Sequence, residues 1–215
     1  METDEIAASP AAQTPPEPAS AEEEQLILAS QAGDIQAFNQ LIERYQTQVY
    51  NLCRRMLGDP ELAADATQET FLNAFEHIGR FRGGTLKTWL LRIAANACYD
   101  VMRHRKRRPA TSLDEILDDE DDPKDFAGNG ELPEQFALRR ELRQLLLRAL
   151  NQLPPEQRMV VILSDIQGLS YDEIAEVTRA ELGTVKSRLS RARAKLRDFL
   201  ERHRELLPRD YRQQE

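Results

Sequence analysis

Apolar residues recur at intervals of three and four over most of the chain, and this spacing restricts the possible folds more than any other feature. The clearest run follows Asp34 and comprises Ile35, Phe38, Leu41, Ile42, Tyr45, Val49, Leu52 and Met56. Such spacing places one apolar stripe along a long helix. No segment shows the alternation of apolar and polar residues that is typical of a strand, and no internal repeat is present. The sequence therefore predicts an all-α fold.

Residues that favour helix ends divide the first half of the chain. Asp34 is suited to cap the long helix, and Gly58 is suited to end it. Asp59 and Pro60 then suit the start of another helix, which is predicted to run to about Ile78. The stretch "GRFRGGT" interrupts the pattern before a third helix. That helix is predicted to face the core with Leu86, Trp89, Leu90, Ile93, Ala94, Ala97, Cys98, Val101 and Met102.

The composition changes along the chain in a way that indicates two domains. Residues 1–21 are rich in Ala, Pro and Glu and are predicted to be a disordered acidic tail. Residues 109–132 begin with proline, carry an acidic run and contain "AGNG", as an interdomain linker would. We therefore expect two small helical domains, at residues 22–108 and 133–205, joined by a flexible acidic linker and followed by a C-terminal tail at residues 206–215.

The formal net charge of −8 is unevenly distributed along the chain, and the residues outside two acidic segments are basic. Residues 1–24 hold seven acids and no cation, and residues 114–125 hold eight acids and one lysine. These two segments together carry −14, so the remaining residues carry +6. We hypothesise that the acidic tail or linker shields the basic surfaces and lowers non-specific DNA binding. Solubility and simple spacing are the alternative explanation for the acidic segments.

Several classes of protein are excluded by what the sequence contains. The longest apolar runs are a few residues, so we expect a cytoplasmic protein with no direct membrane insertion. Cys53 and Cys98 lie in apolar helical patterns without metal-ligand spacing, which predicts buried free thiols. His77, His104 and His203 have no carboxylate pair or nucleophile and base beside them. We therefore expect no catalytic site, no metal and no cofactor.

Two features near the C-terminus predict a helix-turn-helix. Ser170, with Glu173 three residues later, forms a capping box that opens a short helix. After a turn, the segment "TVKSRLSRARAKL" begins a longer helix whose apolar side holds Val185, Leu189, Ala192, Leu196, Phe199 and Leu200. Its opposite side holds Lys186, Ser187, Ser190, Arg191, Ala194 and Arg197. A short capped helix followed by a helix with a basic, small-polar face is typical of DNA-binding proteins.

The outer face of the longer helix has the chemistry of a DNA reader. Arg and Lys donate to guanine O6 and N7, and small residues let the backbone approach the groove closely. A solvated amphipathic helix is the alternative for any basic helix. Residues 184–204, however, hold eight cations against two acids, whereas an ordinary surface helix mixes the signs more evenly. Three cations flank the face where phosphates would lie, namely Arg188, Arg193 and Lys195.

Taken together, these segments resemble the extracytoplasmic-function sigma factors of bacterial RNA polymerase, within the sigma-70 superfamily. The stretch "LPPEQRMVVILSDIQGLSYDEIAEVTRAELGTVKSRLSRARAKL" is similar to region 4, which in that family binds the −35 promoter element. The stretch "DATQETFLNAFEHIGRFRGGTLKTWLLRIAANACYDVMRHRKRR" is similar to region 2, which binds the polymerase clamp helices and opens the −10 element. The resemblance implies a non-enzymatic promoter-specificity subunit. Its implied partners are core RNA polymerase, through the clamp helices and the flap, promoter DNA and an anti-sigma factor.

The resemblance also implies roles for matching residues. The polymerase-facing positions are Asp65, Gln68 and Glu69, whose spacing puts them on one helix face, although solvation of the helix would explain the same spacing. Capture of a flipped base at the −10 element is implied for Phe81, Arg82, Gly83 and Gly84. Further −10 contacts are implied for Arg92, Asn96 and Arg103, whereas Trp89 is expected in the core. The −35 readers are Lys186, Ser187, Ser190 and Arg191, flanked by Arg188 and Arg193.

Two residues depart from the family pattern, and one alternative function stays open. Arg179 stands where the family has a turn glycine, and a non-glycine residue with positive φ is uncommon. Glu181 replaces the usual small cap before the second helix, and glutamate is a poor N-cap. The alternative function is a stand-alone helix-turn-helix regulator. Such a regulator would bind duplex DNA tightly without polymerase, whereas a sigma factor would bind it weakly.

Overall fold

The computed structural model describes residues 20–107 and 133–207. The helices are α1 Ala21–Gln31, α2 Ile35–Leu57, α3 Pro60–His77, α4 Leu86–Arg107, α5 Pro133–Asn151, α6 Pro155–Val161, α7 Tyr171–Thr178 and α8 Leu182–Arg202. A π-helical turn, Ile162–Ile166, continues α6, and single 3-10 turns follow α3 and α8. No strand occurs in these two ranges, so the all-α prediction is confirmed. The predicted linker and most of the two predicted tails lie outside the described residues.

Helix α2 is the centre of the first helical group. Its apolar stripe is buried along most of its length, and α1, α3 and α4 pack around it. The Asp34 carboxylate accepts hydrogen bonds from the backbone N–H groups of Gln36 and Ala37, which confirms the predicted cap. Gly58 ends the helix in the left-handed conformation at φ 77°. Ile35 differs from the prediction, because its side chain is 60% exposed.

Helix α1 is attached to α2 by a buried polar cluster. The Tyr45 hydroxyl donates to the carboxylate of Glu23 over 2.8 Å, and Arg44 pairs with Glu23 and with Glu22. Glu23 is only 8% exposed. Burial and the adjacent Glu23 carboxylate both raise the pKa of the Tyr45 hydroxyl, so the tyrosine stays protonated and remains a donor. A buried carboxylate therefore fixes the position of α1, which its weak apolar periodicity does not specify.

The second helical group contains the predicted helix-turn-helix. Ser170 accepts from the Glu173 N–H while the Glu173 side chain accepts from the Ser170 N–H, so the predicted capping box is present. Arg179 ends α7 in the left-handed conformation at φ 51°, as its place in the turn requires. Glu181 makes no side-chain cap to α8. Buried Val185 and Leu189 hold α8 against α6 and α7.

The two helical groups are in contact. Helix α4 packs against α7, and α2 touches α5, α6 and the π-helical turn. Buried residues of α2, α4, α6 and α7 form one continuous apolar core. The sequence predicted two modules on a tether, and the periodicity of each helix contains no signal for a contact between the modules. This contact is therefore a feature that only the structure reveals.

The turn at Arg179 generates a stability prediction. An L-residue in the left-handed conformation costs about 1 kcal/mol relative to glycine. Arg179→Gly should therefore raise the free energy of unfolding by about 1 kcal/mol, measured by urea denaturation. Arg179→Ala is the matched control, because it removes the same charge and retains the unfavourable φ. Equal stability of the two variants would contradict the prediction.

Candidate nucleic-acid interface

Helix α8 has one packed side and one free side. Val185, Leu189 and Ala192 are buried, as the 100° periodicity predicted. The four side chains predicted to read the −35 element are all exposed, namely Lys186, Ser187, Ser190 and Arg191. The Ser187 hydroxyl donates to the backbone carbonyl of Thr184 over 3.0 Å, which leaves its oxygen lone pairs outward as acceptors. The helix is thus a rigid support for an exposed row of two cations and two hydroxyls.

Two of the three flanking cations of α8, Arg188 and Arg193, are placed differently from these four. Arg193 is half-buried, and its guanidinium binds Asp165 through two hydrogen bonds, of 2.5 and 3.2 Å, and Ser164 at 3.3 Å. The hydrogen bonds and charge of Asp165 raise the pKa of Arg193 above its ordinary value. The guanidinium therefore ties α8 to the π-helical turn, and its charge is paired with Asp165. Arg188 is half-buried at the edge of the outer face.

The proposed −10 contacts of α4 lie along one edge of the first helical group. Asn96 is exposed, and Arg103 is exposed beside Asp100, with which it forms an ion pair. Arg92 forms an ion pair with Glu176 of α7, with 3.5 Å between Nη1 and Oε1. Burial and the negative charge of Glu156 raise the pKa of Tyr99, on the same edge, to about 12, and Arg188 opposes this shift. These interactions place the edge of α4 next to the helix-turn-helix.

The loop before α4 presents backbone rather than an aromatic surface. Gly83 and Gly84 are exposed at φ 136° and 79°, conformations that L side chains rarely adopt, and open space surrounds both. Phe81 is 9% exposed, and its ring packs on Trp89 with 5.6 Å between centroids. The Phe81 ring therefore supports the loop from the core, and its part in base capture stays a prediction. Trp89 packs against the core as predicted.

The acidic face of α3 continues into an apolar patch that the sequence reasoning missed. Asp65, Gln68 and Glu69 are exposed on one side of the helix. Leu72 is 58% exposed and Phe75 is 42% exposed one turn and two turns further on. Leu72 lies three positions after Glu69, and Phe75 lies three positions after Leu72. This helical spacing was the sequence signal that could have predicted the patch. A surface with carboxylates beside exposed large apolar residues has the composition of a protein-binding site.

The described ranges were also compared with what a reactive cysteine, a metal site or a membrane span would require. Cys53 and Cys98 are buried free thiols, as predicted. Within residues 20–107 and 133–207, no three His, Cys, Asp or Glu side chains come together as a metal site would require. Over the same residues, no helix has both the length and the hydropathy needed to cross a membrane.

Comparisons with known proteins agree with this architecture, which defines a DNA-binding protein made of two helical modules. The family model described as "Sigma-70 region 2" matches residues 41–108, and the model described as "Sigma-70, region 4" matches residues 143–196. The ECF RNA polymerase sigma-E factor of Salmonella typhimurium is 37% identical over 174 residues, which cover 78% of this chain and 88% of that protein. The chain belongs to the extracytoplasmic-function sigma factors of RNA polymerase.

Two further similarities extend this comparison. The ECF RNA polymerase sigma factor SigE of Mycolicibacterium smegmatis is 38% identical over 169 residues, and the chain covers 63% of its length. The solved structure of the sigma factor RpoE of Bartonella quintana, in complex with the anti-sigma factor NepR, superposes with a TM-score of 0.60 at 29% identity. That similarity covers 78% of this chain and 98% of the RpoE chain.

The different placement of Arg191 and Arg193 generates a prediction about salt dependence. Arg191→Ala should reduce the slope of log affinity against log salt for duplex DNA by about 0.9, because one fewer cation releases counterions. Arg193→Ala should leave this slope unchanged, because Asp165 already neutralises that guanidinium. Fluorescence anisotropy titrations at several salt concentrations measure both slopes. An equal loss of slope in the two variants would show that Arg193 leaves Asp165 to bind a phosphate.

Proposed function

We propose that this protein directs core RNA polymerase to specific promoters and initiates promoter melting, without covalent chemistry of its own. One observation carries the proposal: an exposed cationic helix face, on a helix-turn-helix that matches region 4, shares one chain with a bundle that matches region 2. The chain therefore links a module that would bind duplex DNA to a module that would contact the −10 element and core polymerase. Linked weak contacts gain affinity through their effective concentration.

We assign the −35 element to the outer face of α8. Lys186 and Arg191 would donate to base edges or phosphates, Ser187 would accept, and Ser190 would accept or donate. The buried side of α8 and the Arg193–Asp165 interaction fix the angle at which this face is presented. Residues 133–205 would act as this module, and residues 22–108 would act as the other.

We assign the −10 element to the exposed edge of α4 and the loop before it. Extruding a base from the stack costs roughly a few kcal/mol, which contacts in a receiving site must offset. The exposed N–H and C=O groups around Gly83 and Gly84 can approach a nucleotide closely, because no side chain covers them. Asn96 supplies both a donor and an acceptor for a base edge, and Arg103 supplies charge for the strand backbone.

The outer face of α3 is the proposed contact with core polymerase. Its carboxylates at Asp65 and Glu69 suit a basic partner surface, and Leu72 with Phe75 would be covered on binding. An anti-sigma factor is a further proposed partner, supported by the likeness to the RpoE chain that was solved in complex with NepR. A stand-alone regulator is not favoured, because it would have no use for a region 2 module beside the helix-turn-helix.

Run-off transcription tests the proposed function. Core RNA polymerase with this protein should produce specific transcripts from a template that carries its promoter, which is found by sequencing the DNA bound by the reconstituted holoenzyme. Core polymerase alone is the control. Transcription at the level of core alone would reject the proposal, and tight binding of the free protein to promoter duplex would support a stand-alone regulator.

Charge reversal on α3 should weaken the contact with polymerase. Glu69→Lys should lower the affinity for core RNA polymerase by about tenfold, because it would place like charges across the interface. Glu43→Lys is the matched control, since Glu43 is an exposed glutamate of α2 outside the α3 face. Labelled protein titrated with core enzyme measures both affinities. A similar loss in the two variants would mean that net charge, and not the α3 face, determines binding.

A further inference from the structure

The last residue of α1 binds the backbone at the start of the loop before α4, which comprises residues 79–85. The side-chain Nε2 of Gln31 donates to the carbonyl of Ile78 over 3.1 Å and to the carbonyl of Phe81 over 3.0 Å. These carbonyls lie 47 and 50 positions after Gln31, at the start of the 3-10 turn that follows α3 and just past its end. A carboxamide nitrogen carries two N–H groups, so Gln31 uses both of its donors on this turn.

Helix α1 is itself attached to α2 at its opposite end. Glu23, in the first turn of α1, accepts from the Tyr45 hydroxyl and pairs with Arg44, both of α2. Glu23 and Gln31 are eight positions apart, which is about 12 Å of helix at roughly 1.5 Å per residue. Ile27, midway between them, is buried in the core. Helix α1 therefore connects α2 to the loop as a rigid element that is held at both of its ends.

The loop is fixed at both ends, whereas its middle is open. At its beginning, the Phe81 ring packs on Trp89 while the Phe81 carbonyl accepts from Gln31. At its far end, the Thr85 hydroxyl accepts from the Thr88 N–H over 3.2 Å, at the first turn of α4. Between these ends, open space surrounds Gly83 and Gly84. The path of the two glycines is therefore determined by how firmly the two ends are held.

A glycine-rich loop needs such an external constraint if it is to receive a base. Glycine has more conformational freedom to lose than any other residue, so an unconstrained glycine pair populates many backbone arrangements. A ligand binds more weakly in proportion to the fraction of the protein that is in the competent arrangement. Fixing the loop beforehand removes this cost from the binding step. The two hydrogen bonds of Gln31 act on the first end of the loop in this way.

We propose that Gln31 is a positioning residue for the −10 element, which holds the loop before α4 in the arrangement that receives an extruded base. It acts through the carbonyls of Ile78 and Phe81 and not by contact with the base. The segment that matches "Sigma-70 region 2" begins at residue 41, so this role lies outside the matched region. The consequence for DNA rests on the proposed function, whereas the hold on the loop does not.

A matched pair of substitutions on α1 tests this role. Gln31→Met keeps the length of the side chain and a similar helix propensity but removes both donors. Gln25→Met makes the same change at an exposed position of the same helix. Neither substitution alters the net charge, so a difference in DNA affinity between the variants cannot come from long-range electrostatics. Circular dichroism melting checks that both variants remain folded.

Hydrogen exchange in the full chain without DNA measures the hold on the loop. The Phe81 N–H donates over 3.0 Å to the Ile78 carbonyl, which Gln31 also binds, so exchange of this amide reports opening of the turn. Gln31→Met should speed the exchange of the Phe81 amide by about tenfold, because two hydrogen bonds that hold the turn are lost. Gln25→Met should leave it unchanged. Equal exchange in the two variants would overturn the proposal.

Binding of single-stranded DNA gives the functional readout. The probes are oligonucleotides of the −10 element, from the promoter found with the reconstituted holoenzyme, with one abasic site placed at each position in turn. In the unaltered chain and in Gln25→Met, one abasic position should weaken binding by about tenfold and so mark the captured base. Gln31→Met should bind the intact strand about tenfold more weakly and lose little more at that position. Its affinity for duplex DNA of the −35 element should be unchanged.

The two measurements separate the possible failures. Faster exchange of the Phe81 amide with an undiminished abasic penalty in Gln31→Met would overturn the positioning role. A general misfolding of the variant would also lower its affinity for the −35 duplex, which the proposal does not allow. No abasic penalty at any position in the unaltered chain would instead reject the proposed function of the loop, and hydrogen exchange would still decide whether Gln31 holds it.

Discussion

Burial of the apolar stripe of α2 is the interaction on which the rest of the structure depends. Leu41, Val49, Leu52 and Met56 are almost completely buried, and every other element of the first helical group packs around them. The same helix also receives the second group, through the carbonyls of Gln48 and Met56. One helix thus organises its own module by apolar burial and contacts the other module through the shared apolar core and through backbone carbonyl groups.

These two kinds of contact have different consequences for motion. Apolar burial within the first group is extensive and non-directional, so it stabilises the module over a range of small displacements. The hydrogen bonds between the modules, such as those that Arg158 and Gln167 donate to carbonyls of α2, are directional, and each is lost once its partners separate. Apolar burial determines the fold of each module and continues between the modules, while the polar contacts determine the register in which the modules meet.

Local chemistry explains which parts of the structure could be predicted from the sequence. Asp34, Pro60 and the Ser170–Glu173 box act within a few residues, and all three begin helices as predicted. The two-sided character of α8 also follows from its periodicity alone. The burial of Phe81 and the exposure of Ile35 depend on which neighbours cover them. The contact between the two helical groups joins residues up to 119 positions apart, and no periodicity within one helix encodes such a contact.

The division of α8 into a packed side and a free side has a consequence for how such proteins diversify. Val185, Leu189 and the Arg193–Asp165 tether determine the orientation of the helix, and none of them belongs to the row formed by Lys186, Ser187, Ser190 and Arg191. Substitutions in that row are expected to leave the packing unchanged, because all four side chains are exposed. A duplicated copy could therefore acquire a new target sequence by a few surface changes, with no intermediate that fails to fold.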